Sequence, residues 1–125
     1  MLNILVVDDS IVIRRTLTMK LEQMGHTVVA QAKSGKEAVS FYKEHMPDLV
    51  TMDITMPSMN GIEALKIIKK KYSNAVVIMV TSHGEEKLVM DAISNGAKGY
   101  ILKPITDEKL TTVIAKVFPE LSECK

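Results

Sequence analysis

Five short apolar segments alternating with five amphipathic ones predict an α/β fold: a doubly wound, five-stranded parallel sheet of order 2-1-3-4-5 with five helices. Two observations carry this. Four of the five segments are continuously apolar or nearly so (Leu5-Val6-Val7, Leu49 to Met52, Val76 to Val80, Tyr100-Ile101-Leu102), the pattern of parallel strands buried on both faces. Between them run 3.6-residue periodicities with recognisable caps. Right-handed crossovers then place helices on both faces of the sheet.

The strands are expected at about residues 2–7, 27–31, 48–52, 75–80 and 99–103. The second, from His26 to Gln31, is the most polar and belongs at an edge. Ser10 caps a first helix running to Met24, with an apolar stripe at Ile13, Leu17, Leu21 and Met24 and Gly25 as its stop. Ser34-Gly35-Lys36-Glu37 spells a capping box for a second helix, which must end before Pro47. Asn60 opens a third with Ile62, Leu65 and Ile68 inward. Glu85 and Glu86 suit the N-terminus of a fourth, closed by Asn95-Gly96. Thr106-Asp107-Glu108 opens a fifth, with Leu110, Val113, Ile114 and Val117 inward and Pro119 as a brake.

At 125 residues the chain is read as one domain, with no fused effector and a core that needs no staples. Sixteen Lys+Arg against 15 Asp+Glu, interspersed, give neither a basic stripe for nucleic acid nor an acidic tail. The apolar runs are far shorter than the roughly 18 residues that a membrane span requires, and the start of the chain lacks a signal pattern. Cys124 has no partner cysteine, so a reduced, cytoplasmic protein is expected.

Ligands of an open parallel sheet bind beyond the carboxyl ends of its strands, above all at the switch point between strands 1 and 3. Asp8 and Asp9 follow strand 1, Asp53 follows strand 3, Thr81 and Ser82 follow strand 4, and Lys103-Pro104 follows strand 5. Singly, an Asp after a strand is a turn or cap residue and a Lys before Pro is solvated. Their coincidence on one sheet edge calls for a common cause. Two like charges about 4 Å apart repel by roughly 4 kcal/mol at an effective dielectric of 20, so three carboxylates need a cation or protons. Lys103 supplies one charge. An all-oxygen site suits a hard divalent ion, Mg²⁺ before Ca²⁺, with Mn²⁺ as an alternative. No EF-hand loop is present, and His26, His45 and His83 show no zinc spacing. They read as surface residues, except that His83 closely follows Thr81. A carboxylate nucleophile, Mg²⁺, a lysine and a hydroxyl together hold a phosphoryl group.

Asp8-Asp9, the run Met52 to Gly61 (MDITMPSMNG), Thr81, and Gly96 to Pro104 (GAKGYILKP) resemble the receiver domain of bacterial two-component response regulators, from about Asn3 to Phe118. The resemblance implies a flavodoxin-like, CheY-like fold and a protein that is not an enzyme beyond its own phosphotransfer and autodephosphorylation. It implies Asp53 as phosphoacceptor from a sensor histidine kinase. Mg²⁺ would be held by Asp9, Asp53 and the Thr55 backbone carbonyl, with Asp8 acting through water. Lys103 would bind the phosphoryl oxygens and precede a cis bond to Pro104. Thr81 would move toward the phosphoryl group as Tyr100 turns into the vacated space. Output would pass through the face of helix 4, strand 5 and helix 5. Thr55 and His83 occupy the positions that tune phosphoryl persistence in this family.

Asp48 to Pro57 is similar to the stand-alone chemotaxis subgroup, which implies a monomer that binds the flagellar motor switch, with no nucleic-acid partner and no membrane insertion. The alternative is a phosphorelay intermediate or phosphate sink. An aspartyl-phosphate enzyme normally carries a second carboxylate two residues after the nucleophile, where this chain has Thr55. A flavodoxin would set the phosphate of FMN against Asp8 and Asp9. A receiver-like binding module that is never phosphorylated would not need the complete acceptor, metal, hydroxyl and lysine set. Ile105 replaces the Phe that often follows Lys-Pro in the family.

Overall fold

The computed structural model describes residues 1–56, 58–82 and 86–119. Glu85, His83 and Cys124 lie outside the described residues. Strands and helices alternate as β1 (Asn3–Val7), α1 (Ile11–Gln23), β2 (Thr27–Ala32), α2 (Gly35–His45), β3 (Leu49–Met52), α3 (Gly61–Lys71), β4 (Val77–Thr81), α4 (Glu86–Ser94), β5 (Gly99–Leu102) and α5 (Asp107–Val117). Every strand pair is parallel, and the order is β2-β1-β3-β4-β5. The predicted fold class is the observed one.

Alternation along the strands divides the core in two. Ile4, Val6, Leu49, Ile78, Val80 and Ile101 face Leu17 and Leu21 of α1 and Leu110 and Ile114 of α5. On the opposite face, Leu5, Val7, Val50, Met52, Val77 and Met79 pack on α2, α3 and α4 through residues such as Tyr42, Leu65, Ile68 and Ala92. Each fully buried Leu or Ile contributes about 1.5–3 kcal/mol of transfer free energy. These two layers make β1 and β3 the rigid centre of the sheet, so whatever follows them is held on a fixed platform.

The helix starts follow the side chains that cap them. Ser10, Ser34 and Thr106 accept the N3 amides of α1, α2 and α5 at 3.4, 3.1 and 3.1 Å. The box spelled by Ser34 and Glu37 forms only in part, because the Glu37 carboxylate accepts from Lys33 N–H at 2.9 Å instead of from Ser34. The reciprocal box forms at α3, where Asn60 Oδ1 accepts from Glu63 N–H and Glu63 Oε1 accepts from Asn60 N–H, at 2.9 and 3.1 Å. Asn60→Ala is expected to cost about 1 kcal/mol, read as a fall of about 4 °C in a thermal melt.

Three further expectations need correction. β5 is not buried on both faces: Tyr100 is 46% and Leu102 40% exposed, because β5 ends the sheet and continuous apolarity cannot distinguish an edge strand from a central one. Thr81 closes β4 rather than following it, since its pairing with Leu102 carries the ladder one residue further. His26 is not a plain surface residue. It is half-buried, and its Nδ1 accepts the Leu2 amide at 3.1 Å. Burial, and then the nearby N-terminal charge, lower its pKa.

Candidate functional site

Asp8 and Asp53 are the first residues beyond β1 and β3, and the sheet ladder still holds their backbones. Asp8 N–H donates to Ala32 O and Asp53 N–H to Val7 O, both at 3.0 Å. The neighbouring strands thus fix where the two carboxyl groups start. Both side chains are buried, whereas Asp9 is exposed. One carboxylate oxygen from each of the three lies within 4.8 Å of the others.

Lys103 enters from the end of β5. Its backbone N–H donates to Thr81 O at 2.8 Å. Its ammonium donates to Asp8 Oδ2 at 2.9 Å and stands 3.7 Å from Asp53 Oδ1. The other oxygen of Asp8 accepts Ser10 N–H at 2.9 Å, so both Asp8 oxygens are engaged by the protein. The Lys103–Pro104 peptide bond is cis. Thr81 is fully buried at the end of β4, and Ser82, next in the chain, is exposed. Thr55 is exposed beyond Asp53, and Tyr100 lies on the open edge. The contacts therefore bring Asp8, Asp9, Asp53 and Lys103 together, with Thr81 tied in through the backbone of Lys103, while Tyr100 is exposed on β5.

The Asp53 carboxyl is pushed up to about 6. Burial is the largest cause and Asp8 the next, opposed by Lys103. Among the described residues, Lys103 is the cation paired with the cluster, and its single charge does not offset the burial of the carboxylates. The donor set is therefore short of positive charge and made of hard oxygens, which fits a small divalent cation such as Mg²⁺.

Residue-by-residue reading of the sequence missed three contributors to this geometry. Arg14 Nη1 donates to the Asp8 carbonyl at 2.7 Å and secures the turn from β1 into α1. Gly61, the first residue of α3, donates its N–H to Ile54 O at 2.8 Å, and a Cβ on it would stand 2.0 Å from the Asp53 carbonyl oxygen. The only sequence signal for that approach is a glycine directly after an N-cap. Lys109 of α5 donates to the carbonyls of Leu102 and Pro104, on either side of Lys103.

Comparison with known proteins agrees with this geometry. The model of the response regulator receiver domain matches residues 4–115. The chain is 48% identical over 113 residues to the chemotaxis protein CheY of Bacillus subtilis, covering 90% of this chain and 94% of that protein. It is 43% identical to CheY of Thermotoga maritima over 114 residues, 91% of this chain and 95% of the other. Among solved structures, the CheX-CheY-BeF3-Mg complex of Borrelia burgdorferi contains a chain that superposes with a TM-score of 0.90 at 42% identity, covering 93% of this chain and 88% of that one. The chain belongs to the response regulator receiver-domain family and is CheY-like in both sequence and fold.

Proposed function

We propose that the protein accepts a phosphoryl group from a histidine kinase onto Asp53, with Mg²⁺ bound, and signals in chemotaxis through phosphorylation-controlled protein binding. The observation that carries this is the pairing of a buried, charge-starved Asp53 with Lys103 across a cluster of three carboxylates. The crystal structure named above supports it, because that CheY was obtained with Mg²⁺ and a beryllium fluoride group. Mg²⁺, or Mn²⁺ in its place, supplies positive charge for the phosphoryl oxygens when bound. Asp53 and the exposed Asp9 suit direct ligation, joined by the Thr55 carbonyl. Asp8, with both oxygens engaged, suits an outer role.

In the transfer, an Asp53 carboxylate oxygen attacks the phosphorus of a phosphohistidine. The new P–O bond replaces the P–N bond, and the electron pair leaves on the imidazole. Lys103 follows the charge: its ammonium, held by Asp8 and facing Asp53, sits where phosphoryl oxygens arrive. Thr81 and Ser82 at the end of β4 provide hydroxyls on the same edge, and Thr55 and His83 tune hydrolysis. Output passes through α4, β5 and α5, where Tyr100 and Leu102 are exposed. Each charge-assisted hydrogen bond contributes about 1.5–3 kcal/mol, and full reversal of a two-state element needs roughly 5.5 kcal/mol. Partner binding and phosphorylation therefore reinforce each other, as linkage requires.

The partners are a sensor histidine kinase and an output protein such as the flagellar switch, met by a single-domain monomer in the cytoplasm. Among the described residues no helix is long and apolar enough to cross a membrane. The test is transfer of label from a phosphohistidine kinase. Hydroxylamine-labile label on the chain, dependent on divalent metal, is expected; label that stays on the kinase in every condition contradicts the reading.

A further inference from the structure

Lys109 breaks a local rule at the start of α5. The third helical position favours Glu or Gln, whose side chain can return to the N-cap, and the positive end of the helix dipole disfavours a cation there. Two other helices of this chain carry Glu there, Glu37 in α2 and Glu63 in α3, and Glu63 returns to its N-cap. At α5 the position holds Lys109, whose backbone N–H is the one Thr106 caps. A cation placed against the dipole needs a compensating partner. No carboxylate among the described residues pairs with it. Its ammonium donates instead, in exposed hydrogen bonds, to two main-chain carbonyls, Leu102 O at 2.9 Å and Pro104 O at 3.1 Å.

Those two carbonyls flank Lys103. The Lys103 N–H is already fixed from the other side by Thr81 O at 2.8 Å. The backbone around Lys103 is thus gripped by β4 at its amide and by α5 at the carbonyls before and after it. The lysine side chain has four rotatable torsions, so only a fixed starting point delivers its ammonium repeatedly to Asp8 Oδ2 and Asp53 Oδ1. Displacements of about 1 Å in such supporting groups weaken sites well beyond the loss of one bond.

We infer that Lys109 is a positioning residue that clamps the β5–α5 turn and aims the Lys103 ammonium at the phosphoryl group. This rests on the phosphoacceptor reading of Asp53. The bonds of Lys109 go to main-chain carbonyls and not to Asp8, Asp9 or Asp53, so the clamp reaches the site only through Lys103 and weighs more on anion binding than on metal binding.

The test compares the wild type with Lys109→Met, which keeps the aliphatic stem, and Lys109→Arg, which keeps the charge and the donors. Beryllofluoride affinity in saturating Mg²⁺, Mg²⁺ affinity alone, and melting temperature are measured for each. For Lys109→Met, beryllofluoride affinity is expected to fall about tenfold, the equivalent of one charge-assisted hydrogen bond, with a clearly smaller change in Mg²⁺ affinity and Arg restoring most of the loss. Should the Met variant not fold, Lys109→Gln, whose amide reaches one carbonyl, carries the same comparison with a smaller loss. Unchanged beryllofluoride affinity, or parallel losses of both affinities with stability, overturns the clamp alone. A wild type that does not bind beryllofluoride overturns the phosphoacceptor reading, and the clamp with it.

Discussion

Gly61→Ala is expected to melt roughly 10 °C below the wild type, at about 4 °C for each kcal/mol. A Cβ on Gly61 would lie 2.0 Å from the Asp53 carbonyl oxygen, 2.8 Å from its carbonyl carbon and 3.0 Å from Ile54 Cα. All three are backbone atoms, so no side chain can swing away, and either α3 or the β3 end must move. Overpacking of this kind costs about 1–3 kcal/mol and occasionally more. The displaced residue is the proposed phosphoacceptor, so phosphoryl uptake is expected to drop about 100-fold even at temperatures where the variant is folded. Circular dichroism melts and initial labelling rates check the two effects separately. A variant that melts within about 2 °C of wild type, less than 1 kcal/mol on the same scale, contradicts the close approach.

Lys103→Met removes the cation that, among the described residues, is paired with the carboxylate cluster. Uptake of a phosphoryl group is expected to fall by at least about tenfold, and by about 100-fold if both charge-assisted contacts of about 1.5 kcal/mol are lost. The stability consequence depends on pH. Burial, and then Asp8, push the Asp53 carboxyl up to about 6 in the folded protein from an ordinary value of 3.8. A folded value above the unfolded one means that this group's contribution is fully present below about pH 4 and is lost as pH rises through about 6. The metal-free wild type therefore loses stability from this source between pH 4 and 7. Lys103 pulls the Asp53 value down, so in Lys103→Met the loss deepens and extends to higher pH. Melts at pH 5 and pH 8 in EDTA should show a larger difference between the two pH values for the variant than for the wild type. Divalent metal at ten times its dissociation constant adds about 1.4 kcal/mol and should narrow the difference in the wild type. An identical pH difference in both proteins would contradict the electrostatic account.

The parts of this site that were legible in the sequence are those that periodicity and strand ends mark. Asp8 and Asp53 could be placed because a buried, largely apolar run ends directly before each, and the order of a right-handed parallel sheet puts those two ends side by side. Ser10, Asn60 and Thr106 were legible as caps because short polar side chains before an apolar stripe have one common use. Exposure along β5 was not legible, since Tyr100-Ile101-Leu102 has the same apolar signature as a central strand. The choice made by Glu37, which bonds Lys33 rather than Ser34, depends on the path of the chain before the cap. Lys109 and Gly61 escaped for a shared reason: their partners are backbone atoms of another segment, and backbone atoms leave no mark on residue identity. His83 lies outside the described residues, and its part in tuning the phosphoryl group stays a reading of the sequence.

In the proposed function Asp53 is the group that takes the phosphoryl. The most direct test is intact-protein mass after incubation with acetyl phosphate, for wild type with Mg²⁺, wild type with EDTA, and Asp53→Asn with Mg²⁺. The predicted result is one added phosphoryl mass on the wild type with Mg²⁺ and none in the other two samples. The same added mass on Asp53→Asn, or none on the wild type even when a histidine kinase is supplied, would contradict it.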